Sequence, residues 1–335
     1  MRTRYEGFKG IVKAVGTGPR GSRDLTFDEA RDATRALLAG EVSDAQAGAF
    51  LLALRVKGEA ASELGGMAQA LRDAALPIEA DGAGPVVACA GAFDGVAEAP
   101  HLSLAAAVAA AACGAVVVVS CGDRLGPKHG LTPAEVLGAL GGDARPGPEA
   151  SAAMLARSRV ALVHAGESLP GWSRLARLRD EIGLRGPLHS AEKLVDWAGA
   201  RRFVVGHTHS GYTDRLLGAL DAMDAEAAIA VRGIEGSDVA RPGRPSAFDA
   251  RGRLDLPERL GEQLAGDADA DASARLTRAV LSGEENGTAA WTVELNTGLR
   301  LLAAGVVGDA IEGAALARRA IAEGRASATL DALTG

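Results

Sequence analysis

Hydrophobic and polar positions change their period once along this chain. From Leu25 to about Ala75 apolar residues recur every three or four positions, which predicts three helices. The first, TFDEARDATRALLAG, opens with Thr26 and Glu29 at capping-box spacing and stops at Gly40. The second, SDAQAGAFLLALRVKG, repeats the device with Ser43, Gln46 and Gly58, and the third runs from about Ala60 to Ala75. LPIEADGAGP, with its prolines and glycines, reads as a linker. Beyond it the pattern becomes alternation. PVVACA (85–90), a helix over 102–113 and AVVVVS (115–120) form a βαβ unit, which implies a parallel sheet. RVALVHA (159–165), RFVVGHT (202–208) and AAIAVRG (227–233) supply further strands, with a helix near Thr213 to Met223 and a closing helix over Gly308 to Glu323. TAAWTVELNTGLRLLAAG precedes that last helix without a clear assignment, and DADADA (267–272) reads as a solvated loop or helix edge.

The expected architecture is a small all-helical N-terminal domain (1–80) and a larger α/β domain (84–335) with a mainly parallel central sheet. The segment 166–200 is charged and helical, and is expected to pack on the first domain. Composition refines this picture. The 335 residues are 47% hydrophobic but only 3% aromatic, so the core is built from Ala, Leu and Val, and 44 glycines point to close packing of elements. No apolar run approaches the roughly 18 residues needed to span a bilayer. MRTRYEGFKG lacks the apolar stretch of a signal peptide, and Cys89, Cys113 and Cys121 have no metal-ligand spacing, so a reduced, cytoplasmic protein is expected. The net charge of −7 argues against a nucleic-acid or membrane partner. The exception is local: six basic residues lie between Arg2 and Arg23 against the single acid Glu6, a pattern suited to nucleic-acid contact.

The stretch CAGAFDGVAEAPHLS (89–103) has the strand–loop–helix layout of a phosphate cradle, with Gly91, Gly95 and the Ser103 hydroxyl as candidate donors. Asp94 and Glu98 oppose an anion there, and Phe93 replaces a small residue; the loop is a phosphate seat, a remodelled ligand site or a purely structural connection. SCGDRLGPKHG (120–130) leaves a strand and offers Arg124, Lys128 and His129 to an anion, or forms a solvated loop. HTH (207–209) places two histidines on one side of a strand end, with no third metal ligand nearby. VGTGPRGSRD (15–24) carries glycines and basic residues but no preceding strand, and so reads as an N-terminal arm.

Three stretches resemble glycosyltransferase family 3, the fold of anthranilate phosphoribosyltransferases and class II pyrimidine nucleoside phosphorylases. They are the helical opening with AFLLALRVKGE, LSLAAAVAAAACG, and LARLRDEIGLRGPLHSAEKL. FDG followed by HLS, and RGIEGSDV (232–239), are similar to the YbiB-like branch of that family, which lacks the Gly-Thr-Gly-Gly-Asp loop. The resemblance implies a phosphoribosyl-type ligand and a homodimer through the N-terminal helices. It implies donor or anion binding by Gly91, Gly95, Ser103, Asp123, Arg124, Lys128 and His129, where Gly122, Asp123 and Arg124 match the end of a Lys-His-Gly-Asn-Arg motif. Arg179 stands where the family has its acceptor arginine, and His189 replaces an Asn beside it. Magnesium, where used, would fall to Glu235 and Asp238, three positions apart where active members carry adjacent acids. Two functions follow: a phosphoribosyl-type transferase with an altered donor site, or a non-catalytic protein contacting nucleic acid or a small anion.

Overall fold

A computed structural model describes residues 6–80 and 84–335; Arg2, Arg4 and part of the linker lie outside the described residues. The three predicted opening helices are Phe27–Leu38, Asp44–Lys57 and Ala61–Ala74. Both capping boxes form: the Glu29 amide donates to Thr26 Oγ1 at 3.2 Å and the Thr26 amide to Glu29 Oε2 at 3.0 Å. A further helix, Phe8–Gly16, precedes them, so the expected arm is partly helical. It is held by packing rather than by a cap: Val15 is buried and Phe8 meets the Phe50 ring edge-on at 5.4 Å.

The α/β part is a seven-stranded sheet in the order β3-β2-β1-β4-β5-β6-β7. Its strands are β1 (Val86–Ala90), β2 (Val116–Cys121), β3 (Val160–His164), β4 (Arg202–His207), β5 (Ala227–Arg232), β6 (Ala247–Asp249) and β7 (Gly252–Arg253). β1 to β5 are parallel, and β6 and β7 close one edge as an antiparallel hairpin that the sequence pattern does not reveal. Strands β1, β2 and β3 are buried along their whole length, as a sheet covered on both faces requires. The connection from β1 to β2 is the helix Ser103–Ala112, and every residue from Ser103 to Ala111 is buried. Alanine suits this position because a helix surrounded on all sides leaves no room for larger side chains.

TAAWTVELNTGLRLLAAG is the helix Thr288–Ala304, also largely buried, and it lies against the helix Ala310–Ala322. Their approach depends on Gly298, where an added Cβ would stand 2.1 Å from the Ala310 carbonyl oxygen. Asp269 within DADADA caps the helix Ala270–Leu281 by accepting from the Ala272 amide at 2.8 Å. The charged segment 166–200 does reach back to the N-terminal helices. Its helix Trp172–Ile182 packs on Phe27–Leu38 and Asp44–Lys57, and Arg174 donates to the carbonyls of Leu37 and Val42 and to Asp44. The C-terminal ends of β1, β4 and β5 therefore open onto a cleft walled by this segment. Gly298→Ala should lower stability by about 1–3 kcal/mol in a denaturant titration, because the helices must separate to admit the methyl group.

Candidate anion-binding site

The loop after β1 carries no run of glycines. Instead Val96 bridges Leu131, with its amide 3.0 Å from the Leu131 carbonyl, and Phe93 is buried edge-on against Trp172 at 5.7 Å. Gly95 has φ +74° and sits tight against Gly130 and Leu131, and Gly91 backs onto Ser237. Asp94 does not point at a ligand space: it is fully buried. Arg185 Nε and Nη2 donate to its Oδ2 at 3.0 and 2.6 Å, and Lys128 Nζ lies 3.7 Å from its Oδ1. The repulsion expected from Asp94 is thus cancelled by two cations, and the residue anchors the loop. Glu98, by contrast, is exposed.

Glu235 sits in the loop that leaves β5, at φ +51°, a left-handed conformation that costs a non-glycine residue about 1–3 kcal/mol. Gly233 makes the turn possible, since a Cβ there would stand 1.8 Å from the Ser237 carbonyl. The strained turn aims the Glu235 carboxylate at the loop after β1. Its Oε2 accepts from the Ala97 amide and its Oε1 from the Glu98 amide, each at 2.9 Å. Lys128 Nζ donates to the Glu235 carbonyl at 2.8 Å and lies 3.7 Å from the carboxylate. Burial lowers the Lys128 pKa while Asp94 and Glu235 oppose that shift. Two convergent backbone N–H groups and an ammonium make an anion seat. Here the chain's own carboxylate fills it.

Asp238, one turn further on, is buried beneath. Ser103 Oγ donates to its Oδ2 at 2.8 Å, and Arg300, also fully buried, pairs with the same oxygen. Arg300 Nη1 donates in turn to the Asn296 carbonyl at 2.9 Å. Ser103 is therefore committed to Asp238 rather than offered to an anion. Arg300 lies in the unassigned stretch 288–305, and its sequence neighbours give no sign of this role. Burial pushes the adjacent Cys89 thiol up to about 12, so it stays protonated.

The remaining predicted residues disperse. Arg124 donates to Glu135 at 2.8 Å, in the capping box of the helix Pro133–Ala139. Asp123 pairs with Arg145 and lies 3.5 Å from His164. His129 is exposed, 3.6 Å from Asp180. Arg179 is buried against Glu192, whose other oxygen accepts from the Phe93 amide at 3.1 Å. Burial raises Glu192 and outweighs the opposing effect of Arg179.

His189, however, lines a cleft of about 550 Å³ together with Arg55, Arg185, Lys193, His207 and His209. Lys193 donates to the Gly206 carbonyl at 2.7 Å, and burial pulls its pKa down to about 8. The His189 Nδ1 accepts from the Gly186 amide at 3.1 Å. His207 Nδ1 faces the His209 carbonyl at 3.1 Å and so carries the proton, leaving Nε2 to accept from the Thr213 hydroxyl at 3.2 Å. Burial lowers His189 to about 2 and His207 to about 4, so both are neutral at pH 7. The pair in HTH borders this cleft, and among the described residues no group of three His, Cys, Asp or Glu could hold a metal. Glu235 and Asp238 do not fit a magnesium ion in this arrangement: both Glu235 oxygens accept from loop amides, Asp238 Oδ2 is shared by Ser103 and Arg300 and only its buried Oδ1 lacks a partner, and the ammonium of Lys128 and the guanidinium of Arg300 stand where they would repel a cation.

This scaffold has close counterparts. Over 98% of both chains the sequence is 34% identical to the anthranilate phosphoribosyltransferase of Methylobacterium nodulans. The chain belongs to the anthranilate phosphoribosyltransferase family. Residues 9–75 match the helical bundle domain of the glycosyl transferase family. The enzyme of Streptomyces coelicolor described as anthranilate phosphoribosyltransferase 2 is 32% identical, over 92% of this chain and 94% of its own. The crystal structure of the Thermus thermophilus enzyme superposes with a TM-score of 0.84 at 30% identity, covering 98% of each chain. The Saccharomyces cerevisiae enzyme, solved with phosphoribosyl pyrophosphate and magnesium, shares the fold at a TM-score of 0.80 and 16% identity over 98% of this chain and 96% of its own. Among the described residues no helix is long and apolar enough to cross a membrane.

Two outcomes follow from these contacts. Arg185→Ala should cost about 1–3 kcal/mol in chemical denaturation, since it removes both hydrogen bonds to a buried carboxylate and leaves it only Lys128 at 3.7 Å, and Asp94→Asn in that background should recover part of the loss. His207 has a folded pKa below its unfolded value, so its contribution is present above pH 6.5 and fades as pH falls toward about 4. Between pH 7 and pH 5, His207→Asn should therefore lose less stability than the wild type, by on the order of 2 kcal/mol.

Proposed function

We propose that this protein binds a phosphoribosyl-type anion in the cleft lined by Arg55, Arg185, Lys193, His207 and His209, and does so without magnesium. The observation that carries this reading is the Glu235 carboxylate on the amides of Ala97 and Glu98, 2.9 Å from each. A diphosphate entering that seat must first displace Glu235, together with its interaction with Lys128. The donor loop is thus remodelled, and the transfer of a magnesium–diphosphate donor is not the resting function of this site. The cations that face the cleft remain available to a monophosphate, with Arg185 and Lys193 held by their own hydrogen bonds and so already oriented. Neutral His189 and His207, whose ring nitrogens are already bonded to Gly186, Gly126, His209 and Thr213, line the cleft without adding charge.

Calorimetric titration of the full chain checks this directly. Ribose 5-phosphate should bind with the same affinity, within about twofold, in millimolar magnesium and in chelator, and Arg55→Ala with His209→Ala should weaken it about tenfold. Phosphoribosyl pyrophosphate should bind more weakly than ribose 5-phosphate until Glu235→Ala vacates the seat, which should improve its affinity about tenfold. An absence of heat at millimolar ribose 5-phosphate, or binding that requires magnesium, would overturn the reading.

A further inference from the structure

On the far side of the Glu235 turn lies a second cavity, of about 520 Å³, which the family resemblance does not account for. Glu98, Glu235, Arg241, Arg244, Glu262 and Gln263 are among its lining residues. Arg241 and Arg244 belong to the run Arg-Pro-Gly-Arg-Pro (241–245), where the two prolines limit the backbone of one short bend that carries both side chains. Both arginines are exposed, and neither makes a hydrogen bond or ion pair within the described residues. Two of the three carboxylates of this cavity, Glu262 and Glu235, are already committed. Glu262 accepts from Thr288 at 2.7 Å and from Arg259 at 3.4 Å, which together lower its pKa. Arg259 itself lies over the Trp291 ring at 5.2 Å. Glu235 is held by the two loop amides. What remains to meet a ligand is a pair of guanidinium groups, the exposed carboxylate of Glu98 and the Gln263 amide.

We infer that this cavity is a second ligand site, for a phosphate ester of a polyhydroxylated compound such as a sugar phosphate. The phosphate would take the planar donor forks of Arg241 and Arg244, a geometry that lysine could not reproduce. Hydroxyl groups at the other end would donate to Glu98 and bond to the Gln263 amide. A plain dianion leaves Glu98 without a partner and close to a like charge, so hydroxyls distinguish the favoured ligand from inorganic phosphate. The cavity volume lies within the range typical of small-molecule sites. The inference does not depend on the cleft reading, because the two spaces are lined by different cations and meet only at the turn that carries Glu235.

Peptide-resolved hydrogen exchange on the full chain separates the two sites. Millimolar ribose 5-phosphate should slow exchange in peptides covering 97–99, 241–244 and 261–264, and Arg241→Gln with Arg244→Gln should abolish that protection. Any protection over 185–193 and 207–209 reports the cleft and should survive in this variant. Both arginines are exposed, so the substitutions should leave the denaturation midpoint near the wild-type value. Restoring charge with Arg241→Lys and Arg244→Lys should recover only part of the affinity, and inorganic phosphate should protect less than ribose 5-phosphate at equal concentration. Protection of 241–244 that persists in the glutamine variant, or none in the wild type, would refute the second site. Equal protection by inorganic phosphate would refute the sugar-phosphate assignment.

Discussion

A carboxylate taken out of water must find a cation or a set of donors, and three such carboxylates stand at the C-terminal edge of this sheet. Asp94 is met by Arg185 and Lys128, Glu192 by Arg179 and the Phe93 amide, and Asp238 by Arg300 and Ser103. Each carboxylate ties together segments far apart in sequence: Asp94 joins the loop after β1 to the segment after Ile182, Glu192 joins that segment to the same loop through the Phe93 amide, and Asp238 joins the β5 loop to the helix Thr288–Ala304. Such pairs add little net stability compared with apolar packing, but removing one partner is costly, so they fix geometry strongly. The loop that could have been a mobile phosphate cradle is instead fastened at Phe93, Asp94 and Val96. Its Ala97 and Glu98 amides are taken by Glu235.

These contacts are made by this chain's own side chains on a scaffold it shares with its family. The scaffold, down to the strand order and the helical opening, is that of the phosphoribosyltransferases, and identity over nearly the whole chain leaves no doubt about descent. Fold does not carry function with it. Positive charge beside the loop after β1 comes from side chains, Lys128 and Arg300, which stand against Glu235 and Asp238. The strain accepted at Glu235 is the clearest sign that this occupancy is built in: a residue held at φ +51° needs compensating contacts, and its carboxylate has two amide donors.

The electrostatics of the cleft follow from the same burial. Desolvation keeps His189 and His207 neutral and lowers Lys193, while Arg55 and Arg185 bring guanidinium groups to the same cleft. The cleft thus combines cationic donors, Arg55, Arg185 and Lys193, with neutral rings, and Lys193 is buried as deeply as His189. That combination suits a ligand with an anionic head and an uncharged body.

Local pattern alone determined most of the architecture. Caps at Thr26 and Ser43, the period of the apolar residues and the switch to alternation after the linker were sufficient for three helices, five parallel strands and the α/β class, because these signals act within a few residues. The loop 89–103 was also legible as a departure from a glycine-rich cradle. Tertiary structure decided what its residues do. Asp94 and Glu98 look alike in the sequence, yet one is buried under Arg185 and the other is exposed to solvent. Ser103 at the start of its helix has the spacing of a ligand-binding hydroxyl, but the partner that claims it, Asp238, lies 135 residues away. Arg300 sits in a stretch with no strong period, and Glu235 reaches the loop through a turn that only Gly233 allows. Charge pairing depends on which segments the fold brings within about 3 Å, and no local pattern records that distance.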